Sequence, residues 1–285
     1  MAEGGFNFNI VIVGLGLIGG SYAMALKRLN PSSICGIDVD ENSLKEALNM
    51  GIIDQGFTDG KEVLKNADLV IIALYPEKII NFIKINIDNF KKGAVITDTC
   101  GIKEGLIDNI NSFLPDDLDF IGGHPMAGRE SKGIKVASKD IFNNANYIIT
   151  PTERNCKENV MLIEKMAKDI GCKKVINISP KEHDRIISFT SQLPHVIAVS
   201  LMDSDLIESD IETFTGGSFK DATRVAVINS ELWSELFFLN SDNLIAEIEK
   251  FQKSIEKVKN AIMLEDKCTL KDIFESATVK RKKMV

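Results

Sequence analysis

The apolar positions of this chain fall into short blocks separated by amphipathic stretches. Residues 8–13 (FNIVIV) form an apolar run that stops at Gly14, which predicts a buried strand. Residues 18–29 then predict a helix, 33–38 (SICGID) a second strand, and 41–50 a second helix. Residues 68–74 (DLVIIAL) read as another buried strand, closed by Pro76. A helical period follows over 77–90, and 94–97 is again strand-like. Residues 119–122, 146–150 (NYIIT) and 174–178 (KVINI) are further strand candidates. Strands alternating with helices of this length predict parallel βαβ units with right-handed crossovers. The expected class is α/β, with a doubly wound sheet.

The pattern changes at Ser179-Pro180, beyond which no convincing strand is found. Residues 181–203 read as helical, interrupted by Pro194, and 230–264 as one or two long helices. Leu244, Ile248, Phe251, Ile255, Val258 and Ile262 recur at alternating spacings of four and three, a heptad seam. Such a seam serves either a domain core or a subunit interface. The expected division is therefore 1–178, a nucleotide-binding domain, and 179–285, a helical domain. The basic tail Lys280 to Lys283 reads as a solvated end.

Composition narrows the partners. A net charge of −7 argues against a nucleic-acid partner. The five cysteines are widely spaced, form no CxxC pair and do not cluster with the three histidines. No disulfide framework or metal site is expected, and a reducing cytoplasmic setting is the simple reading. No basic segment precedes the first apolar run, so no signal peptide is expected. No apolar run reaches the roughly 20 residues of a membrane helix.

Gly14, Gly16 and Gly19 form G-x-G-x-x-G directly after a strand and at a helix start. The first glycine allows the tight turn, the second lets a pyrophosphate approach the backbone, and the third lets the helix pack against the strand. The helix N-terminus then offers N–H groups and partial positive charge to the phosphates. Asp38 follows 19 residues after Gly19, at the end of the second strand. Its carboxylate suits the ribose hydroxyls and would repel a 2′-phosphate; Val39 and Asp40 supply no arginine to neutralise one. NAD is thus favoured over NADP.

His124 lies in Gly122-Gly123-His124-Pro125-Met126-Ala127-Gly128, after a strand, where doubly wound sheets bind ligands. A histidine there can move a proton near neutral pH, as hydride removal from an alcohol requires; a packed loop histidine is the competing reading. His195 sits at a proline-interrupted helix in Ser191-Gln192-Leu193-Pro194-His195. His183, among Glu182, Asp184 and Arg185, reads as a surface or inter-domain contact. Arg224, at the end of Gly217 to Arg224, suits a bidentate carboxylate contact or an ordinary surface ion pair.

Together these segments resemble the prephenate dehydrogenase family. The matching elements are Gly14-Leu15-Gly16-Leu17-Ile18-Gly19-Gly20-Ser21, Asp98 to Lys103, His124-Pro125-Met126-Ala127-Gly128, Glu182-His183-Asp184-Arg185, Leu193-Pro194-His195 and Gly217 to Arg224, in the family's order. The first is shared by many dehydrogenases; the histidine segment and its combination with the later ones are far more specific. The resemblance implies a Rossmann domain followed by a helical domain that dimerises. It implies NAD-dependent oxidative decarboxylation of prephenate to 4-hydroxyphenylpyruvate, in tyrosine biosynthesis. It implies that His124 accepts the substrate's hydroxyl proton, that Arg224 holds a substrate carboxylate, and that His195 contacts the substrate's other end. The residues assigned to the cofactor are Gly14, Gly16, Leu17, Ile18, Gly19, Asp38 and Leu74.

Two positions depart from the family pattern. Asp98-Thr99-Cys100-Gly101-Ile102-Lys103 carries Gly101 where relatives often have a substrate-contacting serine, leaving Thr99, Cys100 or a backbone N–H to compensate. Gln192 stands where some relatives have histidine and retains hydrogen-bonding capacity. Lys103 either faces the cofactor or caps a loop. On length, no fused mutase domain and no separate regulatory domain are expected, so any tyrosine inhibition is expected to compete at the substrate site. The alternatives are arogenate dehydrogenase, another two-domain hydroxyacid dehydrogenase, and a non-catalytic NAD-binding regulator; the last two have no need for His124, His195 and Arg224 together.

Overall fold

The computed structural model of the chain describes residues 6–128, 131–204 and 211–283. The strands are β1 (Asn9–Val13), β2 (Ser33–Ile37), β3 (Gln55–Phe57), β4 (Leu69–Ile72), β5 (Val95–Asp98), β6 (Asp119–Pro125), β7 (Asn146–Thr150) and β8 (Lys174–Asn177). They form one eight-stranded sheet in the order β3-β2-β1-β4-β5-β6-β7-β8. The helices among them are α1 (Leu17–Lys27), α2 (Glu41–Asn49), α3 (Pro76–Ile85), α4 (Glu104–Asn111) and α5 (Lys157–Asp169).

β1 lies between β2 and β4, so the chain reverses its direction of winding there, and a crevice opens at the strands' carboxyl ends. Alternation along β1 decides the two layers. Ile10 and Ile12 face a core shared with Tyr22, Leu26, Phe142 and Met166, whereas Val11 and Val13 face Ile79, Ile83 and Ile107. Both faces are covered, which is why these strands read as unbroken apolar runs.

The structure corrects three expectations. β7 pairs antiparallel to β6, not in a parallel βαβ unit. Among its described residues, the connection between them carries the short 3₁₀ turns Ile134–Val136 and Lys139–Phe142 and no longer helix to return the chain to the opposite edge. β3 was not anticipated; its Gln-Gly-Phe sequence is short and partly exposed at the sheet edge. β6 extends through Pro125, so His124 is a strand residue paired with Ile148, not a loop residue.

Beyond β8 the described chain is helical: α6 (Pro180–Ile187), α7 (Leu193–Asp203), α8 (Gly217–Thr223), α9 (Ser230–Leu239), α10 (Ser241–Met263) and α11 (Lys267–Lys282). Ser179 caps α6 by accepting the Glu182 N–H, and Pro180 occupies its first turn. A π-helical turn, Ser188–Gln192, joins α6 to α7 without a break, and Pro194, which has no N–H to offer the preceding turn, follows it directly. Leu236 of α9 enters the core that covers α3 and α4, so the helical part docks directly on the sheet domain.

α11 follows the long helices expected over 230–264 and lies within the expected helical domain; the basic residues Lys280, Arg281 and Lys282 fill its last turn, where the helix dipole favours cations. α11 buries no residue of its own. The heptad seam is buried at Leu244 but exposed at Ile255 and Ile262. Among the described residues, no helix is long and apolar enough to cross a membrane.

Candidate active site

Gly14 adopts φ +85°, and a Cβ there would lie 2.6 Å from the Ala73 carbonyl oxygen. A Cβ on Gly19 would lie only 1.8 Å from the Gly14 carbonyl oxygen, so α1 can approach β1 only with glycine at this position. Gly16 differs: a Cβ there would meet nothing within 4 Å. Its side of the turn is open, and no side chain caps the α1 N-terminus. An open glycine turn at a helix N-terminus can cradle a phosphate group. Leu17 is buried and Ile18 packs on the core, so they offer the cradle backbone N–H groups rather than side chains. Leu74 abuts Gly14 from the neighbouring strand end.

Asp38 closes the cradle. Its Oδ2 accepts the Leu15 N–H at 2.7 Å and its Oδ1 accepts the Asp40 N–H at 2.9 Å. The carboxylate is thus fixed against the glycine turn while remaining partly exposed.

The loop after β5 is held by a buried ion pair. Lys103 Nζ donates to Asp98 Oδ2 at 2.6 Å and to the carbonyl oxygens of Cys100 and Ile102 at 2.7 and 3.2 Å. Both side chains are fully buried. Lys103 is therefore a loop brace; all its donors are spent. Asp98 Oδ1 also accepts the Gly123 N–H at 3.0 Å, which fixes β6 one residue before His124. Removing either charge from such a buried pair typically costs about 3–5 kcal/mol. Thr99 is half-buried, and burial pushes the Cys100 thiol up to about 12, which keeps it protonated. A Cβ on Gly101 would sit 3.8 Å from His124 Nε2 and 3.9 Å from Leu236, so Gly101 faces the imidazole.

His124 Nδ1 lies 2.9 Å from His183 Nε2, and His183 Nδ1 lies 2.6 Å from Asp184 Oδ1. Asp184 also accepts the N–H groups of Lys103 and Glu104 at 2.9 and 2.8 Å, capping α4 from across the domain boundary. Burial and the neighbouring His183 hold His124 well below its usual range, so its ring is neutral near pH 7. His183 is wholly buried, not a surface contact, and its inter-domain partner is the candidate base itself.

The helical domain supplies the other wall. His195 Nδ1 lies 2.8 Å from the Ser191 carbonyl, and its ring stacks on Trp233 with centroids 3.6 Å apart. Trp233 and Leu236 lie one turn apart on α9, so the helix that stacks on His195 also carries the side chain that approaches Gly101 beside His124. Arg224 sits on the 3₁₀ turn Arg224–Ala226, which packs against α7, the helix carrying His195. Gln192 is not presented to the cleft. It is buried, its Oε1 accepts from Asn240 at 2.7 Å and its Nε2 donates to the Leu236 carbonyl at 3.0 Å. It ties the π-helical turn to α9 and to Asn240 at the α9–α10 junction.

Sequence reasoning gave Trp233 and Leu236 no role, and it read His183 and Asp184 as a matching segment and a surface or inter-domain contact rather than as part of the site. The signal for His183 was its place beside an acid in a matching segment; nothing in the local pattern pointed it at His124.

Residues 22–176 match the prephenate dehydrogenase nucleotide-binding domain, and residues 179–276 match the prephenate dehydrogenase dimerization domain. The chain belongs to the prephenate dehydrogenase family. It is 31% identical to prephenate dehydrogenase of Bacillus subtilis, over 94% of this chain and 74% of that protein. It is 29% identical to cyclohexadienyl dehydrogenase of Zymomonas mobilis, over 94% of this chain and 93% of the relative. The structure of Aquifex aeolicus prephenate dehydrogenase in complex with hydroxyphenyl propionate and NAD+ superposes with a TM-score of 0.89 at 30% identity, covering 97% of this chain and 98% of that one. The glycine turn lies ahead of the matched nucleotide-binding segment.

Proposed function

We propose that this chain catalyses the NAD-dependent oxidative decarboxylation of prephenate to 4-hydroxyphenylpyruvate, in tyrosine biosynthesis. The observation that carries the reading is the position of His124: a neutral histidine at the carboxyl edge of the sheet, facing Gly101 and walled by α9.

The residues present fit a dinucleotide. The open face of Gly16 and the uncapped α1 N-terminus suit the pyrophosphate, and the Asp38 carboxylate suits ribose hydroxyls and disfavours a 2′-phosphate. When bound, NAD supplies the hydride acceptor. His124 Nε2 accepts the proton of the substrate hydroxyl as that carbon gains carbonyl character. Loss of carbon dioxide makes the ring aromatic, which renders the step effectively irreversible. Arg224 binds a substrate carboxylate, and His195, held flat on Trp233, contacts the side chain. The Asp98–Lys103 brace holds the strand that carries His124.

Arogenate is the second reading. Ser191's carbonyl takes the Nδ1–H of neutral His195, which leaves Nε2 as an acceptor. An acceptor there suits an ammonium group better than a keto group. We also infer that the two domains divide near Ser179 and that a homodimer forms through the C-terminal helices, since α11 buries nothing in the single chain. An absorbance assay at the NADH band with prephenate, arogenate and several hydroxyacids tests the function. NADH formation with prephenate is expected; turnover of a hydroxyacid and neither cyclohexadienol would overturn it.

A further inference from the structure

We propose that His183 and Asp184 of α6 set the protonation geometry of His124, fixing its proton on Nδ1 and its lone pair on Nε2. The inference rests on His124 being the base of the proposed reaction.

The hydrogen-bond chain has only one consistent direction. Asp184 Oδ1 and Oδ2 each accept a backbone N–H, from Lys103 and Glu104 at the N-terminus of α4. Those donors favour the ionised carboxylate, which can only accept. His183 Nδ1, 2.6 Å away, must therefore carry the hydrogen. A neutral His183 then offers a lone pair at Nε2, and burial keeps it neutral. His124 Nδ1, 2.9 Å from that lone pair, must donate in turn. The base is left with an unprotonated Nε2, the atom that faces Gly101 and the cleft.

The reverse arrangement would place a hydrogen on His124 Nε2 and remove its capacity to accept one. When His124 takes the substrate's proton it becomes a cation with both nitrogens protonated. The Nδ1–H still points at the His183 lone pair, and the fixed Asp184 carboxylate lies one ring beyond to stabilise the charge. His183 and Asp184 touch no reacting atom; they are positioning residues. Because they stand on the helical domain and His124 on the sheet, the base is correctly polarised only when the two are docked.

Two variants separate this role from packing. His183→Met fills the volume without an acceptor, whereas His183→Gln keeps an acceptor near the place of Nε2. His183→Met is expected to lower kcat at least ~10-fold, a part of the ~10²–10⁴-fold that a general base supplies, with KM for prephenate and NAD little changed, and His183→Gln to restore much of it. Nitrogen chemical shifts of the wild-type imidazoles give the tautomer directly and need neither a folded variant nor a substrate. An Nδ1-protonated, Nε2-unprotonated His124 is expected. An Nε2-protonated His124, or a His183→Met enzyme with wild-type kcat, would overturn the inference. Absence of prephenate turnover by the wild type would instead defeat the proposed function, and the imidazole shifts would still decide the tautomer.

Discussion

The His195 imidazole lies flat on the Trp233 indole, with centroids 3.6 Å apart and planes inclined by 27°. The stack joins α7 to α9 and, with the Ser191 carbonyl on Nδ1, fixes the plane of the imidazole. Stacked aromatic pairs contribute about 0.5–1.5 kcal/mol beyond area burial. Trp233→Leu is therefore expected to raise KM for the cyclohexadienol substrate about 2- to 10-fold, with a smaller effect on kcat. Trp233 is also the sole tryptophan of the chain, so its fluorescence should respond to substrate binding. An unaltered KM together with unresponsive fluorescence would place the stack outside the substrate's reach.

Asp38 is tied to the glycine turn through the Leu15 N–H and retains exposure toward the cradle. Hydrogen bonds to a charged group contribute about 1.5–3 kcal/mol. Asp38→Ser should cut the NAD over NADP preference at least ~10-fold, read as the ratio of the two kcat/KM values. A melting curve controls for damage to the turn. An unchanged ratio would remove Asp38 from the choice of nucleotide.

His124→Asn keeps a polar side chain but no base of the right strength. Its kcat is expected to drop by about 10²–10⁴ while NAD affinity, measured by titration, stays at the wild-type value. Arg224→Ala is expected to act mainly on substrate KM. Near wild-type turnover by the asparagine variant would defeat the assignment of the base.

Acid should destabilise the fold through its buried histidines. Burial pushes His183 down to about 3 from 6.5, and His124 moves in the same direction. Below pH 6.5 the unfolded chain binds protons that the folded chain refuses, so stability declines as pH falls from 6.5 toward 3. Asp184, raised to about 6 from 3.8 by burial, binds its proton earlier in the folded state and offsets part of the loss between those values. Unfolding free energy, measured by denaturant titration, should fall between pH 7 and 5, and less steeply in His183→Gln. A flat wild-type profile would contradict the neutral histidine pair.

The exposed seam of α10 and the unburied α11 should meet a second copy of the chain. Ile255 and Ile262 are 50% and 61% exposed in the single chain. Glutamate at both positions is expected to convert a dimer, by light scattering after size exclusion, to a monomer of lower thermal stability. A wild-type monomer would remove the interface from this face.

The sequence carried whatever is decided by neighbours along the chain. The turn from Gly14 to Gly19 was legible because sterics at φ +85° and at the 1.8 Å approach admit only glycine. The strand–helix alternation was legible because side-chain period follows backbone geometry. Tertiary structure decided what each face meets. β7 turns antiparallel because no helix carries the chain back, a matter of where a long connection ends. Gln192 turns inward because Asn240, 48 residues later, takes its oxygen. His124 and His183 are 59 residues apart and belong to different domains, so no periodicity links them. Only docking brings the second imidazole against the first, and a buried polar pair must then be satisfied by the one direction of hydrogen bonding that Asp184 permits.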